Sequence, residues 1–309
     1  MTRPLIAIVG ATATGKTGLS VEVARRLGGE IISMDSRQVY RRMDIGTAKA
    51  SPEQRALVPH HGLDLADPDQ RFSAGQFATY TRERIGEMQA RGALPLLVGG
   101  TGFFLRALTR PIFAEPALDP RRRSELTSHL AELDDHALHR WLRELDPESA
   151  ARLEAGGGRQ RLIRGLELPL LTGRSLTWWH RNSPPEDEPL DPLIFLLELP
   201  RDELDRRIGQ RTSAMIEDGL VGEVAGLLQS GYDESSPGMS ATGYREIIPV
   251  VRGEASIEKA AEEVRKSTRS YSRRQVTWFR NQLPETAIRL DGTKSPDQLA
   301  HEILEGSRR

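Results

Sequence analysis

A single loop carries the clearest chemical signal in this sequence. It follows the apolar run Leu5–Val9, precedes a helical pattern, and has the form G-x-x-x-x-G-K-T. Its glycines let successive N–H groups turn inward, Lys16 adds a cation, and the Thr17 hydroxyl can ligate Mg²⁺ beside phosphates. The positive end of the following helix adds to this field. The sequence therefore predicts a phosphate or pyrophosphate cradle made of Gly10, Ala11, Thr12, Ala13, Thr14, Gly15, Lys16 and Thr17.

Two further loops follow apolar runs of the kind found in buried strands. Asp35 comes directly after residues 30–34, and Thr101 follows residues 94–98 within Gly99-Gly-Thr-Gly102. A carboxylate at this place can partner Mg²⁺ or act as a general base, or it can simply cap a turn. Thr101 can offer a hydroxyl to a leaving group, or merely belong to a tight turn. Because ligands bind at the carboxyl ends of parallel strands, we expect all three loops to converge on one site.

The elements that position these loops indicate an α/β fold. Short apolar runs alternate with helical stretches at 18–27 and 73–91, which predicts a P-loop NTPase-like, doubly wound parallel sheet. A charged, leucine-spaced segment without an apparent strand then predicts an all-helical insertion, and the apolar run 193–199 predicts a return to the sheet, followed by helical patterns at 201–231 and 256–281. The predicted organisation is a first core part at 1–112, a helical insertion at 113–189 and a return to the core at 190–309.

A basic stretch lies in the last of these helical patterns. Six cations and no acid occur between Val264 and Gln282, and Arg265, Arg269 and Arg273 fall four residues apart on one helix face. This pattern is typical of a solvated face over a core stripe. It is also typical of a surface for a polyanion such as nucleic acid, and the phosphate loop favours that second interpretation.

Composition excludes several other classes of protein. The chain has 309 residues, a formal net charge of −1 and no cysteine, so disulfides, thiolate metal sites and cysteine nucleophiles are excluded. The apolar run near the N-terminus is too short for a signal sequence, and no later run approaches the roughly 20 residues of a membrane span. We expect a cytoplasmic protein without a membrane segment, and a monomer by default.

Taken together, the motifs resemble those of the tRNA dimethylallyltransferase family (tRNA isopentenyltransferases) over nearly the whole chain. Arg211 with Met215, Gly219-Leu220 and Glu223-Val224 also fit the family pattern. The resembling segments occur in family order and are Gly10–Thr17, Asp35–Tyr40, Gly46–Lys49, His60–Asp64, Val98–Gly102, Gln160–Arg164, Gly243–Glu246 and Arg273–Arg280.

The resemblance implies transfer of a dimethylallyl group from dimethylallyl diphosphate to N6 of the adenosine just 3′ of the anticodon (tRNA position 37). The phosphate loop would then hold a diphosphate leaving group, with Mg²⁺ on Thr17 as cofactor. Lys16, Thr101 and Arg211 would neutralise the charge that develops on this group, and Asp35 would accept the proton of the amine. Because the adenine must leave its stack, we expect it to turn out of the anticodon loop.

The family pattern also implies which residues contact the tRNA anticodon stem-loop. They are Asp35, Ser36, Arg37, Gln38, Thr101, Arg123, Arg159, Gln160, Arg161, Leu162 and Ile163, and the basic helix adds Arg273 and Arg274. Three departures from the pattern are evident. The phosphate loop has Ala11 to Thr14 where a Pro or Ser is usual, a Gly-rich segment at 156–158 replaces Asn-Pro before Arg159, and Phe103-Phe104 replaces Leu-Tyr.

Two other functions remain open on the residues alone. One is a small-molecule P-loop kinase, with ATP in the loop and Asp35 activating a hydroxyl. The other is a nucleotide-dependent RNA-binding switch, although the chain lacks an Asn-Lys-x-Asp motif and an Asp-x-x-Gly motif.

Overall fold

The structure is a computed structural model that describes residues 4–110, 113, 116–154, 158–185 and 187–308. Its strands are β1 (Ile6–Gly10), β2 (Gly29–Ser33), β3 (His60–His61), β4 (Leu94–Gly99), β5 (Leu193–Glu198) and β6 (Ile288–Asp291). Its helices are α1 (Lys16–Leu27), α2 (Pro52–Leu57), α3 (Ala74–Ala90), α4 (Gly102–Thr109), α5 (Pro120–Glu132), α6 (Asp135–Leu145), α7 (Pro147–Glu154), α8 (Arg159–Thr172), α9 (Leu176–Asn182), α10 (Arg201–Glu217), α11 (Leu220–Gln229), α12 (Tyr244–Val251), α13 (Ile257–Gln282) and α14 (Pro296–Gly306).

The strands form one sheet in the order β3-β2-β4-β1-β5-β6, and every pairing is parallel. Strand β1, which leads into the phosphate loop, is therefore central. Its side chains alternate between the two faces of the sheet. Ile6 and Ile8 pack with α1 and α14, whereas Ala7 and Val9 pack with α3, α4 and the helices α10 to α13. The predicted fold class, a doubly wound parallel α/β sheet with a helical insertion, is confirmed.

The chain divides into two compact units. One comprises the residues up to Thr109 and from Leu190 onward, and the other comprises Arg110–Pro189. The second unit contains α5 to α9 around a leucine-rich core that includes Leu130, Leu138 and Leu142. Residues 111 and 112, at the predicted boundary, lie outside the described residues.

Several predicted elements differ from the structure in their bounds or number. The helical pattern predicted over 201–231 is two helices, because Gly219 adopts φ 100° between α10 and α11. The short edge strands β3 and β6 were not predicted, since strands of two and four residues give little periodicity.

No helix within the described ranges is both long enough and apolar enough to cross a membrane.

Candidate active site

The phosphate loop connects β1 to α1 at the centre of the sheet edge. Gly15 takes φ 97°, a left-handed conformation, and so turns the chain into α1. The Thr14 hydroxyl donates to the Ala11 carbonyl at 2.9 Å and holds the loop in shape. Among the described residues, no side chain caps the N-terminus of α1. Its first N–H groups thus remain available to an anion, and the positive end of the helix dipole faces the same place.

Lys16 is folded back onto its own loop. Its Nζ donates to the Ala11 carbonyl at 2.6 Å and lies 3.4 Å from the Thr14 hydroxyl. Burial lowers the pKa of Lys16 to about 7, opposed by the nearby Asp35 carboxylate and assisted by the Arg211 cation. The charged form of Lys16 is therefore unfavourable in this buried position unless an anion binds beside it.

Asp35 lies two residues beyond the end of β2 and serves a local role as well as facing the site. Its Oδ1 accepts the backbone N–H of Arg37 at 2.8 Å and of Gln38 at 3.4 Å. This oxygen therefore caps the turn, which is one of the roles that the sequence allowed for Asp35. The charge of the same carboxylate acts on Lys16 and Arg211. One carboxylate is thus fixed by the backbone within the electrostatic reach of both cations.

Thr101 ties the third loop to the segment that follows Asp35. Its Oγ1 accepts the Ser36 backbone N–H at 3.0 Å and lies 3.3 Å from the Ser36 hydroxyl. It also hydrogen-bonds the phenol of Tyr271 on α13. Burial, with the charge of Asp35, raises the pKa of Tyr271 to about 12, so the phenol is a neutral hydrogen-bonding group near neutral pH.

Arg211 reaches the loop from α10. It donates to the Thr12 hydroxyl at 3.2 Å and to the Thr47 carbonyl at 3.4 Å. Burial lowers the pKa of Arg211 below its ordinary value, and Asp35 opposes this shift. An arginine starts so high that it keeps its charge. The structure thus brings Lys16, Asp35, Thr101 and Arg211 to one edge of the sheet.

Two cavities of the sheet unit share part of their walls at this edge. The first contains the phosphate-loop side chains Lys16 and Thr17. The second, of about 350 Å³, is lined by α10 and α13 and includes Arg37 and Tyr271. That volume lies within the range of small-molecule sites. Both cavities are lined by Thr12, Asp35, Thr47 and Arg211.

Gln275 is a buried site residue that the sequence did not single out. Its Oε1 accepts the Thr12 N–H at 2.8 Å, and its Nε2 donates to the Gly100 carbonyl at 2.8 Å. A Cβ at Gly100 would stand 2.4 Å from Nε2, so only glycine leaves room for this contact. One amide of α13 therefore joins the phosphate loop to the loop that carries Thr101. Its sequence signals were its place in the core stripe of the basic helix and within the segment Arg273–Arg280 that resembles the family.

Glu223 organises the wall that carries Thr47, and the sequence assigned no function to it, although Glu223-Val224 fits the family pattern. Its carboxylate accepts three successive backbone N–H groups, those of residues 44, 45 and 46, at 2.8 to 3.1 Å. It also accepts the Tyr244 hydroxyl at 2.6 Å. Such a row of N–H groups forms a nest for an anion. The carboxylate thereby fixes the backbone to which Arg211 donates.

The other predicted residues of the segment after Asp35 are already bound within the protein. Arg37 donates to the Pro237 carbonyl and to the Ser240 hydroxyl at 3.1 and 3.2 Å. The Gln38 amide accepts from Ser33 and donates to the carbonyls of residues 47 and 48. These two side chains therefore shape the cavity wall, and Gln38 has little hydrogen-bonding capacity left for a ligand.

In the helical unit, the predicted tRNA contacts differ in accessibility. Gln160 and Arg161 are exposed at the start of α8. Arg159 pairs with Asp135 at 2.5 Å and donates to carbonyls at the end of α5. Leu162 and Ile163 are buried in the helical core, so their side chains have no surface to offer a ligand, and the predicted RNA contact at these two positions stays a prediction. Residues 155–157, in the Gly-rich segment, lie outside the described residues.

Arg123 belongs to a built ionic cluster on the same unit. Its Nη2 lies 2.8 Å from the buried carboxylate of Glu167, which also pairs with Arg164 at 2.5 Å and accepts the Thr127 hydroxyl at 3.3 Å. The Glu167 carboxylate thus holds two arginines at one place on the helical unit.

The basic helix α13 is less uniformly basic in space than in sequence. Arg265 and Lys266 pair with Glu262 and Glu263, and Arg269 lies 3.9 Å from acidic side chains on α10 and α13. Acids from outside the stretch thus compensate its first half. Over the described part of the chain, its second half has no acidic partner; this half contains Arg273, Arg274 and Arg280.

A metal ion at this site would take most of its coordinating oxygens from a bound ligand and few from the protein. No group of three or more His, Cys, Asp or Glu side chains that could hold a metal ion occurs within the described ranges. The Thr17 side chain lies in the wall of the first cavity, beside Lys16. This donor set fits a hard cation such as Mg²⁺ that takes one hydroxyl from the protein and most of its oxygens from a bound diphosphate.

Fold and site together define a P-loop protein with an anion cradle, a fixed carboxylate and a second cavity beside them. Comparisons with known proteins narrow this class. A sequence profile described as IPP transferase matches residues 38–282, and one described as isopentenyl transferase matches residues 3–58. The chain belongs to the IPP transferase family.

Individual relatives resemble the chain over most of its length. A tRNA dimethylallyltransferase of Syntrophobacter fumaroxidans is 43% identical over 90% of this chain and 81% of its own. One from Geobacter metallireducens is 43% identical over 89% of each chain. A solved tRNA isopentenylpyrophosphate transferase of Bacillus halodurans has a TM-score of 0.69 and 35% identity, covering 99% of this chain and 97% of its own. A eukaryotic dimethylallyltransferase acting on tRNA has a TM-score of 0.82 and 25% identity, covering 98% and 77%.

Proposed function

We propose that this protein transfers the dimethylallyl group of dimethylallyl diphosphate to N6 of the adenosine 3′ of the anticodon in tRNA, releasing diphosphate. The observation that carries the proposal is the position of Asp35, a carboxylate in the shared wall of the phosphate-loop cavity and the second cavity. Family membership favours this transfer over the kinase and the nucleotide-dependent switch. The relatives named above are all transferases that act on tRNA.

The donor would place its diphosphate in the phosphate loop. Backbone N–H groups at the start of α1, together with Lys16 and Arg211, would surround the oxygens that gain charge as the allylic C–O bond breaks. On binding, Lys16 would leave the Ala11 carbonyl, which it now contacts at 2.6 Å. A bound anion would also favour the charged form of Lys16, because negative charge beside the ammonium raises the pKa that burial lowers to about 7.

Mg²⁺ is the cofactor expected here, with the Thr17 hydroxyl as its protein ligand. When bound, it would add positive charge beside the departing diphosphate.

The acceptor adenine would enter the second cavity and present its amine between Asp35 and the allylic carbon. A new N6–C bond forms as the C–O bond breaks, and the amine proton passes to the carboxylate. Oδ1 of Asp35 is held by two backbone N–H groups, so the carboxylate cannot turn away from the cavity. An exocyclic amine is a weak nucleophile, so this fixed geometry contributes as much as basicity.

Thr101 and Tyr271 would act by shaping the acceptor wall. Their mutual hydrogen bond, and that of Thr101 with the Ser36 backbone, hold the loop after β4 against the loop after β2. A neutral phenol with its pKa raised to about 12 can donate or accept a hydrogen bond from a base edge.

The helical unit would hold the anticodon stem-loop through exposed polar groups. Arg161 and Gln160 at the start of α8 and the cluster that holds Arg123 are the groups we assign to this contact. Arg273 and Arg274 of α13 would add phosphate contacts. We also propose a monomer that acts in the cytoplasm. Light scattering at assay concentration tests the first of these, and fractionation of cells tests the second.

The decisive experiment compares Asp35→Ala with Asp69→Ala, which removes an exposed carboxylate from the connection between β3 and α3. Each variant receives Mg²⁺, unmodified tRNA and either dimethylallyl diphosphate or ATP, and nucleosides are analysed by mass spectrometry. We expect N6-dimethylallyladenosine from the diphosphate with wild type and Asp69→Ala. Asp35→Ala should lose at least about 100-fold in rate, the usual scale for a general base, while donor binding persists. Transfer at near wild-type rate by Asp35→Ala would reject the assigned base, and phosphate transfer from ATP would reject the function.

A further inference from the structure

A large aromatic side chain is exposed next to the site, and neither the fold nor the mechanism above uses it. Phe103 is 52% exposed in the first turn of α4, whereas its neighbours Phe104 and Leu105 are buried in the core. Exposure of a phenylalanine forgoes the burial that stabilises most such residues. This ring lies two residues from Thr101, a span of at most about 7 Å along the chain.

The backbone beneath Phe103 is fixed by a second aromatic residue. A Cβ at Gly102 would stand 2.2 Å from the Trp278 ring, so the indole of α13 lies directly against the start of α4. Trp278 packs in turn on the main core and on Phe279, with ring centroids 5.3 Å apart. The backbone that carries Phe103 is thus fixed in place, because the start of α4 cannot shift without displacing Trp278 and the core.

The surface of α13 that contains Trp278 is basic. A shallow groove there is lined by Arg273, Arg274 and Trp278 together with Thr277. Within the part of the chain that the structure describes, these two arginines have no acidic partner, and Arg274 lies over the Tyr271 ring at 5.8 Å from its centroid. The exposed Phe103 ring, together with two arginines that have no acidic partner among the described residues, complements a polyanion with flat, apolar bases, namely single-stranded nucleic acid.

We propose that Phe103 stacks on a nucleobase that adjoins the target adenosine in the anticodon loop. The inference rests on the proposed function and deepens it. When the adenine turns into the second cavity, its neighbour in the loop loses a stacking partner. A ring fixed two residues from Thr101 can replace that partner, while Arg273 and Arg274 bind the adjoining phosphates. Phe103 is therefore a binding residue for the anticodon loop, and its stacking contact tolerates any base at that position.

The matched variants separate the ring from its apolar volume. Phe103→Leu keeps apolar volume and removes the ring, Phe103→Tyr keeps the ring, and Phe103→Ala removes both. Leu57→Ala is the control, because Leu57 is likewise apolar and 59% exposed, on α2. A stem-loop RNA with 2-aminopurine next to the target adenosine reports stacking by fluorescence, and its binding can be measured without turnover.

We expect Phe103→Ala and Phe103→Leu to weaken stem-loop binding by about 5- to 150-fold, the range for one base stacked on an aromatic ring. Phe103→Tyr and Leu57→Ala should bind within about 2-fold of wild type. The 2-aminopurine signal should respond to wild type and not to Phe103→Leu, and the KM for the donor should stay unchanged in all variants.

Equal binding by wild type and Phe103→Leu, with an unchanged 2-aminopurine signal, would overturn the proposal. So would a wild-type dimer that Phe103→Ala converts to a monomer, since that result would assign the ring to contact between two copies. Absence of prenylated product with wild type would instead reject the proposed function. The binding assay keeps the two failures apart because it needs no catalysis.

Discussion

The lowered pKa of Lys16 makes donor binding a proton-linked event. In the free protein, burial sets this pKa at about 7, far below the ordinary value of 10.5. A bound diphosphate would place negative charge on the same ammonium and return its pKa toward the ordinary range. Binding above pH 7 must therefore draw a proton from solution, whereas below about pH 6 the lysine is already charged and draws none.

The size of the effect follows from the two pKa values. At pH 8, one unit above its pKa, the lysine is about nine-tenths neutral, so binding should take up about 0.9 proton; at pH 7 the uptake should be about half a proton. Above pH 7 the affinity for the donor should fall about tenfold per pH unit, as each unit adds about 1.4 kcal/mol to the cost of charging Lys16. A terminal phosphate titrates near pH 6, so at pH 8 the donor itself contributes little.

Calorimetric titration of dimethylallyl diphosphate at pH 8 measures this uptake directly. The heat of binding in two buffers of different ionisation enthalpy differs by the number of protons taken from the buffer. Lys16→Arg is the control, because a guanidinium stays charged throughout this range and should abolish the uptake. Binding of the donor by wild type without proton uptake at pH 8, or an equal uptake by Lys16→Arg, would refute a neutral lysine in the free loop.

Three further substitutions test the packing around the site. Gln275→Ala removes both hydrogen bonds of the amide and should raise the KM for the donor about tenfold, measured by steady-state kinetics, with a smaller change in the KM for tRNA. Glu223→Ala leaves three N–H groups and a phenol without their acceptor and should lower the free energy of unfolding in urea by about 3 kcal/mol or more. Gly102→Ala drives a methyl group into the Trp278 ring and should lower the melting temperature, whereas Gly86→Ala, open on an exposed helix face, should leave it unchanged or raise it.

The sequence was sufficient to predict the parts of this fold that depend on short-range residue patterns. The buried strands β1, β2, β4 and β5 were predicted within one residue at most ends, because each is a continuous apolar run between turn residues. The loops after three of them were expected at one edge of the sheet, and the structure brings Lys16, Asp35 and Thr101 together there. Parallel topology alone imposes that convergence.

What the sequence could not provide is pairing across long separations. Gln275 bonds a loop 263 residues away and another 175 residues away, and nothing in the local pattern of α13 distinguishes it from a core residue. The burial of the Leu162 and Ile163 side chains was not evident from the sequence for the same reason. Their side chains point into a core formed by α5, α6 and α8, and a contiguous motif does not reveal which of its members face inward.

The hydrogen bonds of α13 connect the two cavities, and we expect them to couple binding of the donor to binding of tRNA. Gln275 accepts the Thr12 N–H of the phosphate loop, Tyr271 contacts Thr101 in the loop after β4, and Trp278 packs against the start of α4. These three side chains lie at 4-3 spacing and so share one face of a single rigid helix. Displacement of that helix by a ligand at one cavity would move groups in the other. Two-substrate binding experiments should therefore show coupling between donor and tRNA that Gln275→Ala weakens, because this substitution cuts the link to the phosphate loop while leaving both cavities in place. Equal coupling in wild type and Gln275→Ala would show that the helix does not carry it.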